Sequence, residues 1–203
     1  IPEADEIAAA RACVGWQRVE LRADTFSALQ PGNVSLDLSA IAKGYGVDAV
    51  VMRLRECGIA AALVDVGGEL RGYGHKPDGN AWHVLVESEE ESDDSDTCVL
   101  VLDGKAVATS GDRWHRFEQN GRRYAHTIDP RSGWPVERAL ASVTVVADTA
   151  MQADAWATAL TVMGMEDGHA FATDLGLAAR FVSWAEDGIV VRITPAFPQS
   201  LAA

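Results

Sequence analysis

Positive charge is scarce in this sequence: 17 lysines and arginines stand against 30 aspartates and glutamates, a formal net charge of −13. That balance excludes general binding to nucleic acid or to an anionic membrane surface, both of which need a basic face. An anionic substrate would have to be met by local positive groups or by a metal. Cysteine is nearly absent. Cys13, Cys57 and Cys98 lie far apart, without a CxxC pair or zinc spacing, and an odd number builds no disulfide framework. Each reads as a small buried hydrophobe. No apolar run is long enough to span a bilayer. Repeats, linkers and a regular βαβ alternation are missing too. Strands and hairpins mixed with helices therefore predict an α+β fold, with mixed or antiparallel sheets and several packed helices. The chain begins at Ile1, not Met, so a signal peptide or lipid anchor upstream is not readable here. What is present is ordinary for a globular protein: 48% hydrophobic and 23% charged residues over 203 positions, enough for a substantial core.

The stretch from Leu36 to Asp48 organises the rest. A short apolar segment runs into a turn, and Ser39 is placed to cap a helix that ends near Cys57, with Gly58 as its stop. Gly44 and Gly46 fall in the first turns of that helix, each costing roughly 1 kcal/mol against Ala. A backbone or a ligand packed too close for a side chain would offset that cost. A helix start with Lys43 makes an anion site, suited to phosphate. A glycine-rich packing helix with a solvated lysine explains the same residues equally well.

Around it, Pro2 to Val14 reads as a helix, Trp16 to Leu21 as a strand and Ala23 to Gly32 as a loop. Strands are expected at Ala61 to Val66 and Glu69 to Tyr73, with Gly67-Gly68 marking a bulge or a backbone that faces a ligand. Trp82 to Val86 alternates as a strand, and the acidic run Glu87 to Asp96 reads as a solvated hairpin tip without the spacing of a calcium loop. Asp103-Gly104 predicts a hairpin between Cys98–Leu102 and Lys105–Ala108, and Asn120-Gly121 another between Arg113–Glu118 and Arg122–Ile128. Asp129 to Gly133 is turn chemistry. Ser142 to Ala147 reads as a strand, followed by a helix capped by Asp148 or Thr149 and ending at Met163. A helix from Glu166 to Leu175 and strands at Ala179–Trp184 and Ile189–Ile193 complete the pattern.

Four groups could carry chemistry. Asp37 and Lys43 flank the helix start, where an internal ion pair is the plain alternative. Ser110-Gly111-Asp112 follows a strand, where a simple turn would explain it. His126 ends a hairpin strand, a place where histidine is commonly structural. Asp154 and Thr158, four apart, share one helix face, with Ala157 leaving room beside them. A carboxylate and a hydroxyl suit Mg²⁺, which keeps waters and borrows substrate phosphates. The alternative is a threonine bonded back to its own helix beside an exposed aspartate.

In order, Leu36-Asp37-Leu38-Ser39-Ala40-Ile41-Ala42-Lys43-Gly44-Tyr45, Val66-Gly67-Gly68-Glu69, Ala108-Thr109-Ser110-Gly111, Tyr124 to Gly133 and Ala153-Asp154-Ala155-Trp156-Ala157-Thr158-Ala159-Leu160 form a series that resembles the ApbE family. Those proteins are FAD:protein FMN transferases, often bacterial lipoproteins. The resemblance implies a transferase that splits FAD at its pyrophosphate. It then joins FMN to a threonine of an acceptor flavoprotein, such as a redox-pump subunit, with Mg²⁺ as helper. It implies Asp154, Thr158 and the backbone carbonyl of Ala40 as metal ligands. Asp37, Lys43 and Ile128 would touch FAD, and His126 would act in phosphoryl transfer. FAD hydrolysis to FMN and AMP, or FAD binding without turnover, are the competing activities. A periplasmic or inner-membrane-anchored location is implied by the family alone. Asp65 stands where the family more often has Asn. Residues 1–203 read as a single domain of this kind, apparently lacking the family's N-terminal segment.

Overall fold

The computed structural model describes residues 2–87, 97–111, 116–119, 122–136, 140–185 and 188–199. Helix α1, Ala4–Ala12, is closed at its start by a reciprocal capping box between Glu3 and Glu6. Trp16–Arg18 then forms a single 3₁₀ turn where a strand is expected. Strands β1, Glu20–Arg22, and β2, Ser27–Leu29, pair as a short hairpin, so the expected loop carries a strand of its own.

Helix α2 spans Ala42–Glu56 and stops at Cys57, with Gly58 at φ +80°. Ser39 is not its cap. Its hydroxyl and amide both donate to Asp37 Oδ1, at 2.5 and 2.8 Å, so a local turn consumes the group that would have capped the helix. Strands β3, Ala62–Val66, and β4, Glu69–Tyr73, are joined by Gly67 and Gly68 alone, because Val66 faces Glu69 across the pair. Both glycines have positive φ, 64° and 96°, as a tight primed hairpin turn demands. The pair is therefore a turn, not a bulge. Asp65 Oδ1 steadies it by accepting the Gly68 N–H at 3.0 Å, a role an asparagine oxygen would fill as well.

Strands β5, Trp82–Val86, and β6, Cys98–Leu102, pair with each other in full register. Strand β7, Ala106–Gly111, instead lies between β4 and a later strand. The turn at Asp103-Gly104 is thus a corner between two sheets, with Gly104 at φ +71°, and the expected hairpin across it does not form. The hairpin tip expected in the acidic run falls at 88–96, outside the described residues, as do Asp112 and the Asn120-Gly121 turn. Strands β8, Arg116–Gln119, and β9, Arg122–Ala125, pair with each other, β9 ending before the expected Ile128. Strands β10, Ile128–Asp129, and β11, Trp134–Pro135, make one small ladder more.

Strand β12, Ser142–Ala147, leads into helix α3, Ala150–Met163, where Thr149 takes the cap and accepts the Gln152 N–H at 3.2 Å. Helix α4, Met165–Asp174, and the antiparallel pair β13, Ala178–Ala185, and β14, Gly188–Ile193, complete the order. The main sheet runs β14-β13-β12-β7-β4-β3, and every pairing among the described residues is antiparallel. The fold is α+β.

The middle of the sheet is buried on both faces. Val143 and Val145 of β12 pack with Ala157, Leu160, Ala172 and Phe181 under α3 and α4. Val107 of β7 points the other way, into Val84, Val86, Leu100 and Leu102 of the β5–β6 ribbon. Ser142 to Val145 are accordingly all buried, although they alternate between the two faces. Among the described residues no helix is long and apolar enough to cross a membrane.

Candidate active site

Small residues bring α2 and α3 together. A Cβ on Gly44 would lie 2.3 Å from the Ala150 carbonyl oxygen and 2.7 Å from Met151 Cα, so only glycine permits this approach. The close partner expected for the helix glycines is thus a backbone. Gly46 has open space around it, and the contact explains only Gly44. One turn further on, Asp48 accepts the N–H groups of Ala150 and Met151 at 3.0 and 2.9 Å and pairs with Arg71 at 2.5 Å. The carboxylate thus satisfies free donors at the start of α3 and pins it to α2.

Asp154 is placed by that contact. It is 4% exposed, and its Oδ2 accepts the Gly44 N–H at 2.9 Å. The Gly44 N–H at the start of α2 is therefore met by the chain's own carboxylate. A regular helix would send the Gly44 N–H to the Ala40 carbonyl. Tyr45 keeps that pattern with Ile41 at 3.0 Å, whereas the Ala40 carbonyl accepts no hydrogen bond among the described residues. Thr158, half-buried one turn along α3, makes no bond back to its helix among the described residues, unlike Thr161, which donates to the Ala157 carbonyl at 2.8 Å. Both halves of the plain alternative for this pair fail: Asp154 is not exposed and Thr158 is not back-bonded.

Asp154 and Thr158 open into a cavity of about 660 Å³ that is also lined by Ser39, Lys43, Gly67, Gly68, Glu69, Ser110, Gly111 and His126. Lys43 is about half exposed, at 49%, and its Nζ donates to Glu69 Oε1 at 2.6 Å. Its partner is thus Glu69 and not Asp37. Glu69 has no role assigned from the sequence, although it directly follows the glycine pair; a charged residue opening a strand at such a turn is the signal. Burial pushes its carboxyl upward, Lys43 pulls it down, and the nearby Asp154 charge adds to the upward push. Ser110 and Gly111 belong to β7 itself, paired with Val143 and Ser142, so this stretch is strand and not turn.

Three of the residues carried over from the family do not line the cavity. Ala40 sits in the turn beside Ser39, which does. Asp37 is exposed, and its carboxyl is held below the usual range first by the Ser39 hydroxyl and then by the Ser39 amide. Ile128 is half exposed, two residues past His126.

The donors suit a hard divalent cation. Asp154 Oδ1, the Thr158 hydroxyl and the Ala40 carbonyl are oxygens without a hydrogen bond among the described residues, and Glu69 Oε2 is buried without a partner. Charge points the same way: among the described residues, Lys43 is the single lysine or arginine on a lining that holds Asp65, Glu69, Glu87 and Asp154. A dianionic ligand needs a further cation to enter such a cavity.

The ApbE family model matches residues 1–181 of the chain. The FAD:protein FMN transferase of Haemophilus influenzae is 35% identical over 201 residues, which cover 97% of this chain and 58% of that protein. That of Vibrio cholerae is 38% identical over 188 residues, covering 93% and 56%. In structure, the chain is similar to the apo form of the Pseudomonas stutzeri flavinyl transferase ApbE, with a TM-score of 0.85 at 41% identity, covering 97% of this chain and 60% of that one. The chain thus spans under two thirds of the length of these relatives.

Proposed function

The chain belongs to the ApbE family, and we propose that its cavity carries out Mg²⁺-dependent transfer of FMN from FAD to a threonine of an acceptor flavoprotein, releasing AMP. The observation that carries this reading is the meeting of Lys43, His126, Asp154 and Thr158 on one cavity at the start of α2. Its relatives act on the same substrate by name: the Haemophilus influenzae and Vibrio cholerae proteins are FAD:protein FMN transferases.

Phosphoryl transfer asks a protein mainly for positioning and charge neutralisation. Asp154, Thr158 and the Ala40 carbonyl would hold Mg²⁺, which when bound offsets charge developing on the phosphates. Lys43 adds a second positive group beside them. His126 accepts the proton of the acceptor hydroxyl as that oxygen bonds to the FMN phosphorus. The bond from this phosphorus to the bridging oxygen breaks, and AMP leaves with the electron pair. Lys43 and His126 are exposed, so water can compete with the threonine, which favours FAD hydrolysis when no acceptor is bound.

Incubating the chain with FAD, Mg²⁺ and an acceptor flavoprotein tests the reading. Covalent flavin fluorescence on the acceptor in a denaturing gel, with AMP in solution, is expected; AMP without labelling would leave hydrolysis as the activity, and neither product would reject both. His126→Ala should slow turnover by about 10²- to 10⁴-fold while FAD affinity stays close to that of the unaltered chain. Unchanged turnover would make His126 a structural residue.

A further inference from the structure

Glu69 is buried more deeply than its partner requires. It is 2% exposed, behind the Gly67–Gly68 turn, while the lysine it holds is half open to water. A half-exposed lysine needs no buried counter-charge to be satisfied, since solvent can hydrate it. The second oxygen, Oε2, is buried with no hydrogen-bond partner among the described residues. Desolvating a carboxylate this way opposes folding, and leaving one oxygen orphaned adds to the penalty. Such an arrangement points to a task in the cavity.

We propose that Glu69 is a positioning residue: its Oε1 holds the Lys43 ammonium in one orientation, so that the remaining N–H donors face the space where a dinucleotide's phosphates lie. The inference rests on the proposed function above. An ammonium carries three donors, of which Glu69 takes one. Lysine on its flexible stem is otherwise a poorly aimed point charge. The tether also has a consequence for affinity, because Glu69 competes with the phosphates for the same ammonium. Glu69 therefore raises the reaction rate while weakening the metal-free binding of a pyrophosphate group.

These opposite signs separate positioning from mere support of the fold. The measurements are AMP release from FAD with Mg²⁺ and an acceptor flavoprotein, and calorimetric binding in EDTA of ADP, which carries a pyrophosphate esterified at one end only. Glu69→Gln should lower kcat by on the order of ten- to a hundredfold, with KM moving far less. In a Lys43→Met background the same change should alter kcat by less than about twofold, since the tether then has nothing to hold. Metal-free ADP should bind Glu69→Gln about two- to fivefold more tightly than the unaltered chain. Glu69→Asp, which keeps the charge but draws the oxygen back, should lose rate without that gain, and it serves if the glutamine variant unfolds. An unchanged kcat, an equal loss in the Lys43→Met background, or weaker metal-free ADP binding would overturn the inference. Absence of AMP from the unaltered chain would instead reject the proposed function, and the ADP measurement would still decide the role of Glu69.

Discussion

Asp154→Asn should reduce Mg²⁺-dependent AMP release by about a thousandfold or more, while the chain stays folded. The two halves of that result come from the two oxygens of the carboxylate. Oδ2 accepts the Gly44 N–H at 2.9 Å, and the amide oxygen of asparagine can do the same. The contact between α2 and α3 therefore survives, and the thermal midpoint should shift little. What would be lost is the negative charge that the proposed cation needs beside the Ala40 carbonyl and the Thr158 hydroxyl. Raising Mg²⁺ should recover some activity if affinity is what falls. Near-normal AMP release at ordinary Mg²⁺ would remove Asp154 from the cation site.

Gly44→Ala should have the largest effect on stability. Its Cβ would fall 2.3 Å from the Ala150 carbonyl oxygen, and that atom is backbone, held in place by the two N–H groups that Asp48 accepts. Neither helix can yield without breaking these bonds. Overpacking of this kind costs about 1–3 kcal/mol, and a contact with fixed backbone belongs at the upper end. Separation of the helices would also withdraw Gly44 from Asp154, so cation binding should fall with stability. Gly46→Ala is the internal control. It meets nothing within 4 Å, and the better helix propensity of alanine should stabilise the chain by up to about 1 kcal/mol. Urea unfolding of the two variants compares them directly. Equal midpoints would show that the packing of α2 on α3 is looser than the geometry implies.

Local chemistry was the legible part of this chain. The helix from Thr149 to Met163 announced itself by its cap, its run of small and apolar residues and the glycine after it, and the structure keeps those limits. The spacing of Asp154 and Thr158 placed them on one face, and both meet the cavity. Pairings decided by distant residues were not legible. Asp103-Gly104 is a good turn wherever it occurs, but the turn does not say which strand β6 will choose; the apolar side chains of β5 and β6 cover the sheet only if those two pair together. Ser39 is a good cap in isolation, and Asp37, two residues earlier, takes its hydroxyl. The role of Asp48 as the tie to α3 spans a hundred residues of chain and has no local signature. Glu69 was hidden for the same reason, since its partner Lys43 lies 26 residues earlier.

The most direct test is phosphorus-31 NMR of FAD mixed with the chain and an acceptor flavoprotein. With Mg²⁺ the two pyrophosphate resonances should give way to the monophosphate signal of AMP and a phosphodiester signal on the acceptor, and with EDTA they should persist. Pyrophosphate resonances that survive in both samples would contradict the claim that this cavity splits the bridge between the two halves of FAD.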